Sequence, residues 1–310
     1  MKHHHLILIL FLVSYNGMAF HPYSLKLHFK NQTQYNIVLQ SITGDRFTDL
    51  DTLKKDGTYH FCEGLTVGMY RLLIGRAYDS TDSDEPDKAI DFIFNNEDIE
   101  FSTDLDAPTD SLVVIGSEEN KVWAGFNRKE IEYRKSIKEL EIEIEFFRKH
   151  GIIDPAAKTE FNNKTKKYNQ LQIVRNELID QISKQHPGLF ASKLIAYYRE
   201  PILDGVLPKE ERKSILKRDF FHGIEFNDEA VINTPVYTDR VYKYLSNHYQ
   251  MGLSPEQQES EYIKAKDQIL ARCRQNEKVY GLVLNYLIRY FKKFNSEKLN
   301  LQQNTKSAGK

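Results

Sequence analysis

Cysteine is nearly absent. Only Cys62 and Cys273 occur, 211 positions apart, so there is no Cys-x-x-Cys pair. Without an attacking and a resolving thiol side by side, this chain alone cannot act as a dithiol reductase. Cys62 falls in an expected strand and Cys273 in an expected helix, and both read as small buried hydrophobes rather than as a disulfide. Zinc-ligand spacings, a glycine-rich phosphate loop and a serine nucleophile elbow are missing as well. No catalytic, cofactor-binding or metal-binding residue is therefore assigned, and no cofactor is expected. Excess charge of one sign is lacking too: 43 basic against 44 acidic side chains leave a formal charge of -1. That balance excludes bulk attraction to nucleic acid.

Long apolar runs are scarce. The one unbroken stretch, Leu6 to Val13, is shorter than the roughly 20 residues a spanning helix needs. It follows Lys2 and three histidines and precedes Gly17-Met18-Ala19. A basic start, a short apolar centre and small residues before a cut site predict a cleavable secretory signal peptide over residues 1–19. No cysteine follows for lipid attachment, so the expected product is a soluble extracytoplasmic, periplasmic protein that does not span a membrane. Hydrophobic residues make up 40% of the chain, with 18 Tyr and 18 Phe. Such a composition folds, whereas disordered chains are poor in aromatics.

Between residues 20 and 116 the hydrophobic period is two. Leu25, Leu27 and Phe29 alternate with Lys26, His28 and Lys30, and further strands are expected at Tyr35 to Ile42, Gly57 to Cys62, Met69 to Gly75, Ala89 to Phe94 and Leu112 to Ile115. Turn residues such as Thr43-Gly44-Asp45 punctuate them. This pattern predicts an antiparallel β sandwich. From residue 117 to 294 the period is helical. Ser117 is placed to cap, and Trp123, Phe126, Tyr133, Ile137, Leu140, Ile144 and Phe147 form a heptad-like stripe. Gly151 ends it, Asp154-Pro155 restarts a helix, and Phe161, Tyr168, Leu171, Val174, Leu178 and Ile182 continue the period. The fold class read here is α+β: the sandwich, then an all-α domain opening on a long antiparallel helical hairpin. Shorter helices are expected at Phe190 to Arg199 and Lys209 to Arg218, closing helices at Pro235 to Gln250 and Pro255 to Phe294, and a polar tail over 295–310.

Four places invite a chemical reading. The acidic run Asp79, Asp82, Asp84, Glu85, Asp87 lacks the ligand spacing of a calcium loop and reads as a hairpin tip. The stretch Arg218 to Glu229 gathers His222 with several carboxylates, the residue types of acid–base or metal chemistry, among Phe220, Phe221 and Phe226, which suit anchoring. Trp123, the only tryptophan, suits a ligand platform or, from its place in the stripe, packing. Lys158, Lys164, Lys166 and Lys167 read as the solvated face of the second hairpin helix.

Two parts of the chain resemble known modules. Lys54-Lys55-Asp56-Gly57-Thr58-Tyr59-His60-Phe61 and Gly68-Met69-Tyr70-Arg71-Leu72 resemble the small N-terminal β domain of exported thioredoxin-like proteins of Bacteroides-type bacteria. His186-Pro187-Gly188-Leu189-Phe190, the Arg218 to Asp228 stretch and Asn233-Thr234-Pro235-Val236-Tyr237 resemble the helical domain that sits between that β domain and the thioredoxin fold in disulfide-reductase-type members. The thioredoxin domain itself is absent from these residues. The resemblance implies a non-catalytic accessory or recognition module with a protein partner or client in the cell envelope. The alternative is a free-standing envelope ligand-binding or structural protein.

Overall fold

The computed structural model describes residues 23–31, 35–53, 57–60, 65–76, 88–152 and 154–292. The expected signal peptide, the acidic run at 79–87, Cys62 and the polar tail lie outside the described residues. The fold is α+β, with a β sandwich followed by a helical region.

Eight strands make two four-stranded sheets. These are β1 (Ser24–Lys30), β2 (Tyr35–Thr43), β3 (Arg46–Thr52), β4 (Thr58–His60), β5 (Gly68–Arg76), β6 (Lys88–Phe94), β7 (Ile99–Asp104) and β8 (Val113–Gly116), in the orders β4-β1-β7-β8 and β3-β2-β5-β6. Pairing is antiparallel except between β1 and β7, which run parallel from Leu25↔Ile99 to Lys30↔Asp104. Because side chains alternate across a strand, Leu25, Leu27, Ile99 and Phe101 from one sheet meet Ile37, Leu39, Leu72, Ile74 and Phe92 from the other. The rings of Phe92 and Phe101 touch edge to face across the gap, 5.8 Å between centroids.

Two strands carry no strong sequence signal. β3 is exposed along its whole length, so it shows no apolar alternation. Its place comes from the tight turn at Gly44, where φ is +59°, and from Arg71, whose guanidinium lies 4.1 Å over the Phe47 ring. β7 alternates buried Ile99, Phe101 and Thr103 with half-buried Glu100, Ser102 and Asp104, a short run in which only two positions are apolar.

The helical region comprises α1 (Glu118–His150), α2 (Pro155–Gln185), α3 (Phe190–Ala196), α4 (Lys209–Asp219), a 3-10 turn (Glu229–Asn233), α5 (Val236–His248), α6 (Pro255–Cys273) and α7 (Glu277–Lys292). α1 and α2 are the long hairpin. Asp154 caps α2 by accepting from Ala157 N at 2.8 Å, with Pro155 in the first turn. The stretch expected as one helix to Phe294 is two. Asn276 ends the first and caps the second, its Oδ1 accepting from Lys278 N and Val279 N at 3.1 Å each. Neither Gly nor Pro marks that break.

The sandwich and the helices share a core. The outer face of the second sheet contributes Ile42, Met69 and Ile93 to the cluster that holds Trp123, Phe190, Tyr237 and Val283. Polar groups fix the joint. Ser117 Oγ accepts from Asn120 N at 3.0 Å, as an N-cap does. Asn120 then reaches back to the sheet: Ile93 N donates to its Oδ1 (2.8 Å) and its Nδ2 donates to Ile93 O (2.7 Å). The amide thereby satisfies both backbone groups of one strand residue, as a neighbouring strand would. Glu119, 2% exposed, accepts from Phe190 N (2.9 Å), Ala191 N (2.6 Å) and Asn95 Nδ2 (2.7 Å), tying sheet, α1 and the start of α3. A Cβ on Gly68 would stand 2.6 Å from Asn233 Cβ, so only glycine lets β5 approach the 3-10 turn this closely.

Replacing Asn120 by Ala leaves Ile93 N–H and C=O buried without partners. The expected loss is about 1–3 kcal/mol, measured by urea unfolding, with amide exchange accelerated first at Ile93.

Candidate functional site

Four segments far apart in sequence bring charges together inside the helical region. α1 supplies Glu130 and Arg134, α2 supplies Arg175, and α5 supplies Arg240 and Lys243. The segment after α3 supplies Glu200, whose position before Pro201 disfavours further helix. Arg175, 3% exposed, donates from Nε and Nη2 to the two Glu130 oxygens at 2.7 Å each, the bidentate geometry that makes Arg–carboxylate pairs strong. Arg134 also pairs with Glu130, at 2.5 Å.

Glu200 is the hub. Lys243 donates to its carboxylate, Arg134 Nη2 stands at 3.4 Å, Arg175 Nη1 at 3.9 Å and Arg240 Nη1 at 4.0 Å. Burial alone would raise the Glu200 carboxyl, but Lys243, Arg134 and Arg175 overrule it and hold it at about 2. Burial pulls Lys243 down to about 8, with Glu200 opposing and Arg134 and Arg175 adding to the fall. The Glu200 shift reports the cations around it, whereas the Lys243 shift reports chiefly burial.

The cluster walls a cleft of about 460 Å³ between the hairpin and α5. Its lining holds four cations, Arg134, Lys138, Arg175 and Lys243, against two carboxylates, Glu141 and Glu200. Asn176 Oδ1 and Asn247 Nδ2, both in lining residues, have no hydrogen-bond partner among the described residues. Arg134 and Lys243 also line a small hollow of about 70 Å³ with Tyr198 and Asp239. Beyond it, Arg134, Tyr198 and Asp239 border a cavity of about 480 Å³ that reaches Trp123 and the sheet residues Arg71 and Asp91. Arg134 thus faces three adjoining spaces. Cleft volumes of a few hundred Å³ with a few convergent polar groups suit small ligands.

The places singled out in the sequence fare differently. Phe220, Phe221 and Phe226 are buried anchors, with Phe226 stacked on Tyr237 at 4.8 Å and Phe221 at 4.5 Å from the Tyr244 ring. His222 is exposed, at the rim of a hollow shared with Asp219 and Glu200, and Arg218 holds Asp219 at 2.6 and 2.8 Å. Asp228 points elsewhere: it pairs with Lys193 at 2.7 Å and caps the 3-10 turn through Ala230 N. His222 and Asp228 are not joined. Trp123, 6% exposed, packs on Phe126 and Tyr198 and presents one side to the 480 Å³ cavity. Lys164 bridges the hairpin to Glu143 at 3.0 Å, while Lys158, Lys166 and Lys167 are exposed. Cys273 is a buried free thiol whose Sγ donates to Ile269 O, and burial pushes it up to about 12. Among the described residues, no group of three or more His, Cys, Asp or Glu is placed to hold a metal ion.

Sequence reading did not single out Glu130, Arg134, Arg175, Glu200, Arg240 or Lys243. One signal was available: Arg175 follows Val174 and precedes Leu178 in the apolar stripe of α2, where a cation needs a buried partner.

Since the folded Glu200 carboxyl lies below its ordinary 4.5, its pairing stabilises fully above that value and is lost as pH falls toward 2. Glu200→Gln should be less stable than the unmodified chain near neutral pH, by up to about 3 kcal/mol. The gap should close between 4.5 and 2, which urea midpoints across that range will read. No family model, curated protein or solved structure matches this chain, so the reading of its function rests on the residues themselves.

Proposed function

We propose that this protein is an exported, non-catalytic binding module of the cell envelope, with the Glu200-centred cleft as its binding site, serving as the recognition portion of a thioredoxin-like system. The observation that carries the binding reading is the cleft itself, about 460 Å³ walled by α1, α2 and α5 with Arg134, Arg175 and Lys243 converging on it. Export is supported by Lys2, the apolar Leu6 to Val13 and the small residues up to Ala19. Among the described residues no helix is long and apolar enough to cross a membrane. The setting beside a reductase is supported by the resemblance of 186–237 to the helical domain that precedes a thioredoxin fold. A buried Cys273 thiol held up at about 12 is unsuited to nucleophilic work at neutral pH, which favours recognition over thiol exchange by these residues. A free-standing ligand-binding protein is the second reading, favoured by the small-molecule dimensions of the cleft.

Three measurements test this. Insulin reduction by the full chain should show no turnover, and turnover overturns the non-catalytic reading. Mass spectrometry of the secreted protein should find Phe20 as its first residue. A fragment screen followed by protein NMR should place binders at resonances of Arg134, Gln172 and Lys243; binders confined to other surfaces overturn the cleft as the binding site.

A further inference from the structure

Resting on the binding reading above, we infer that the cleft takes a small organic anion, about the size of a sugar acid or sugar phosphate, whose carboxylate or phosphate meets the cations of the lining. The first argument is charge. Four lining cations face two lining carboxylates. Leaving aside the exposed Lys138 and its partner Glu141, the enclosed cations Arg134, Arg175, Arg240 and Lys243 still outnumber the carboxylates of Glu130 and Glu200 by two. A surplus enclosed by helices is poorly screened by salt and raises the local concentration of anions. Burial holds Lys243 near 8, so the site already strains to keep its ammonium protonated. A bound anion relieves that strain, because each added negative charge favours the protonated form.

The second argument is hydrogen bonding. The guanidinium donors of Arg134 and Arg175 are engaged by Glu130 and Glu200, so the ammonium groups of Lys243 and Lys138, which line the cleft from α5 and α1, are the donors left to meet an oxyanion. Each ammonium has three donors, and the carboxylates of Glu200 and Glu141 each take a hydrogen bond from one of them.

The third argument is size. About 460 Å³ suits a molecule on the scale of one sugar ring with its acid group and is small for a folded partner's surface. An acidic peptide offers the same carboxylates on a longer body than a cleft of about 460 Å³ encloses, so it is the competing ligand to exclude.

The test is calorimetric titration of the full chain at constant ionic strength with glucuronate, glucose 6-phosphate, neutral glucose, inorganic phosphate and a penta-glutamate peptide. The first two separate a carboxylate source from a phosphate source. At least one of them should bind about tenfold more tightly than glucose and more tightly than inorganic phosphate. Lys243→Met should weaken that binding about tenfold. Lys138→Gln alters a side chain that is 68% exposed. It therefore leaves the fold intact and should weaken binding about twofold to fivefold.

Equal binding of glucose and the anions, indifference to both substitutions, or tighter binding of the peptide each overturns the inference. If neutral fragments alone map to the cleft by NMR, the anion inference fails while the binding reading stands. If no compound maps there, both fail.

Discussion

A carboxylate enclosed by helices stays ionised only if cations surround it, and Glu200 draws its cations from three elements that share no local sequence. Arg134 comes from α1, Arg175 from α2, and Arg240 and Lys243 from α5. The apolar stripe of the hairpin can slide by a turn at modest cost, since burial is non-directional. A bidentate Arg175–Glu130 pair cannot, because one turn of slip would separate charges already out of water. The network therefore sets the register in which α1, α2 and α5 meet. Its stability value is a separate matter, since replacing a whole buried ion network by apolar side chains is often neutral or favourable. What such a replacement would remove here is the positive surplus in the cleft, which is a functional rather than a structural asset.

The same framework extends into the sandwich. Asn120 and Glu119, successive residues in the first turn of α1, bond respectively to β6 and to the start of α3. Gly44 at the β2–β3 turn lies against Thr238 and Leu282, and its N–H donates to Ile232 O at 3.2 Å. The sheet is thus clamped at one end of its strands, through β2 on one side of β5 and β6 on the other. Next to this clamped end lies the cavity lined by Met69, Trp123, Arg71 and Asp239. Burial, with Asp91 and Asp45 nearby, raises Asp239 to about 6. Arg134 borders this cavity and the Glu200 cleft alike, so a ligand that draws Arg134 toward one space changes the charge balance of the other.

Much of this architecture was legible in the residues, and what was not has identifiable causes. The hairpin could be read because a period of three and four persists over about 30 residues at each limb and because Ser117, Gly151 and Asp154-Pro155 punctuate it with known cap chemistry. β3 could not, since an edge strand exposed on both faces has no alternation to detect. The break before α7 rests on Asn276, a cap whose residue type is equally common in turns and on helix surfaces. The charged cluster was hidden for another reason: Glu130 and Arg175 are 45 positions apart, and Glu200 and Lys243 are 43 apart. Residue composition is silent on convergence at that range. Only the misfit of Arg175 within an apolar stripe hinted that α2 owed a partner to another element.

The aromatic stretch after α4 shows how sequence proximity and chemical function part company. His222, Asp219, Glu225 and Asp228 stand together in the chain, yet Asp228 turns to Lys193 and Asp219 to Arg218. The residues of this stretch that bear on the cleft are the phenylalanines. Phe220 lies under the Arg240 guanidinium at 3.9 Å, and its carbonyl accepts from Arg240 Nη2 at 2.5 Å. A flat cation held by a ring face and a carbonyl has lost most of its rotamer freedom before it meets Glu200. Tyr244 packs on the same ring, 5.5 Å between centroids, and belongs to the helix that carries Arg240 and Lys243. The loop thereby fixes one cation by packing so that the others can be arranged by charge, and the site's chemistry resides in residues that the loop supports rather than in those it displays.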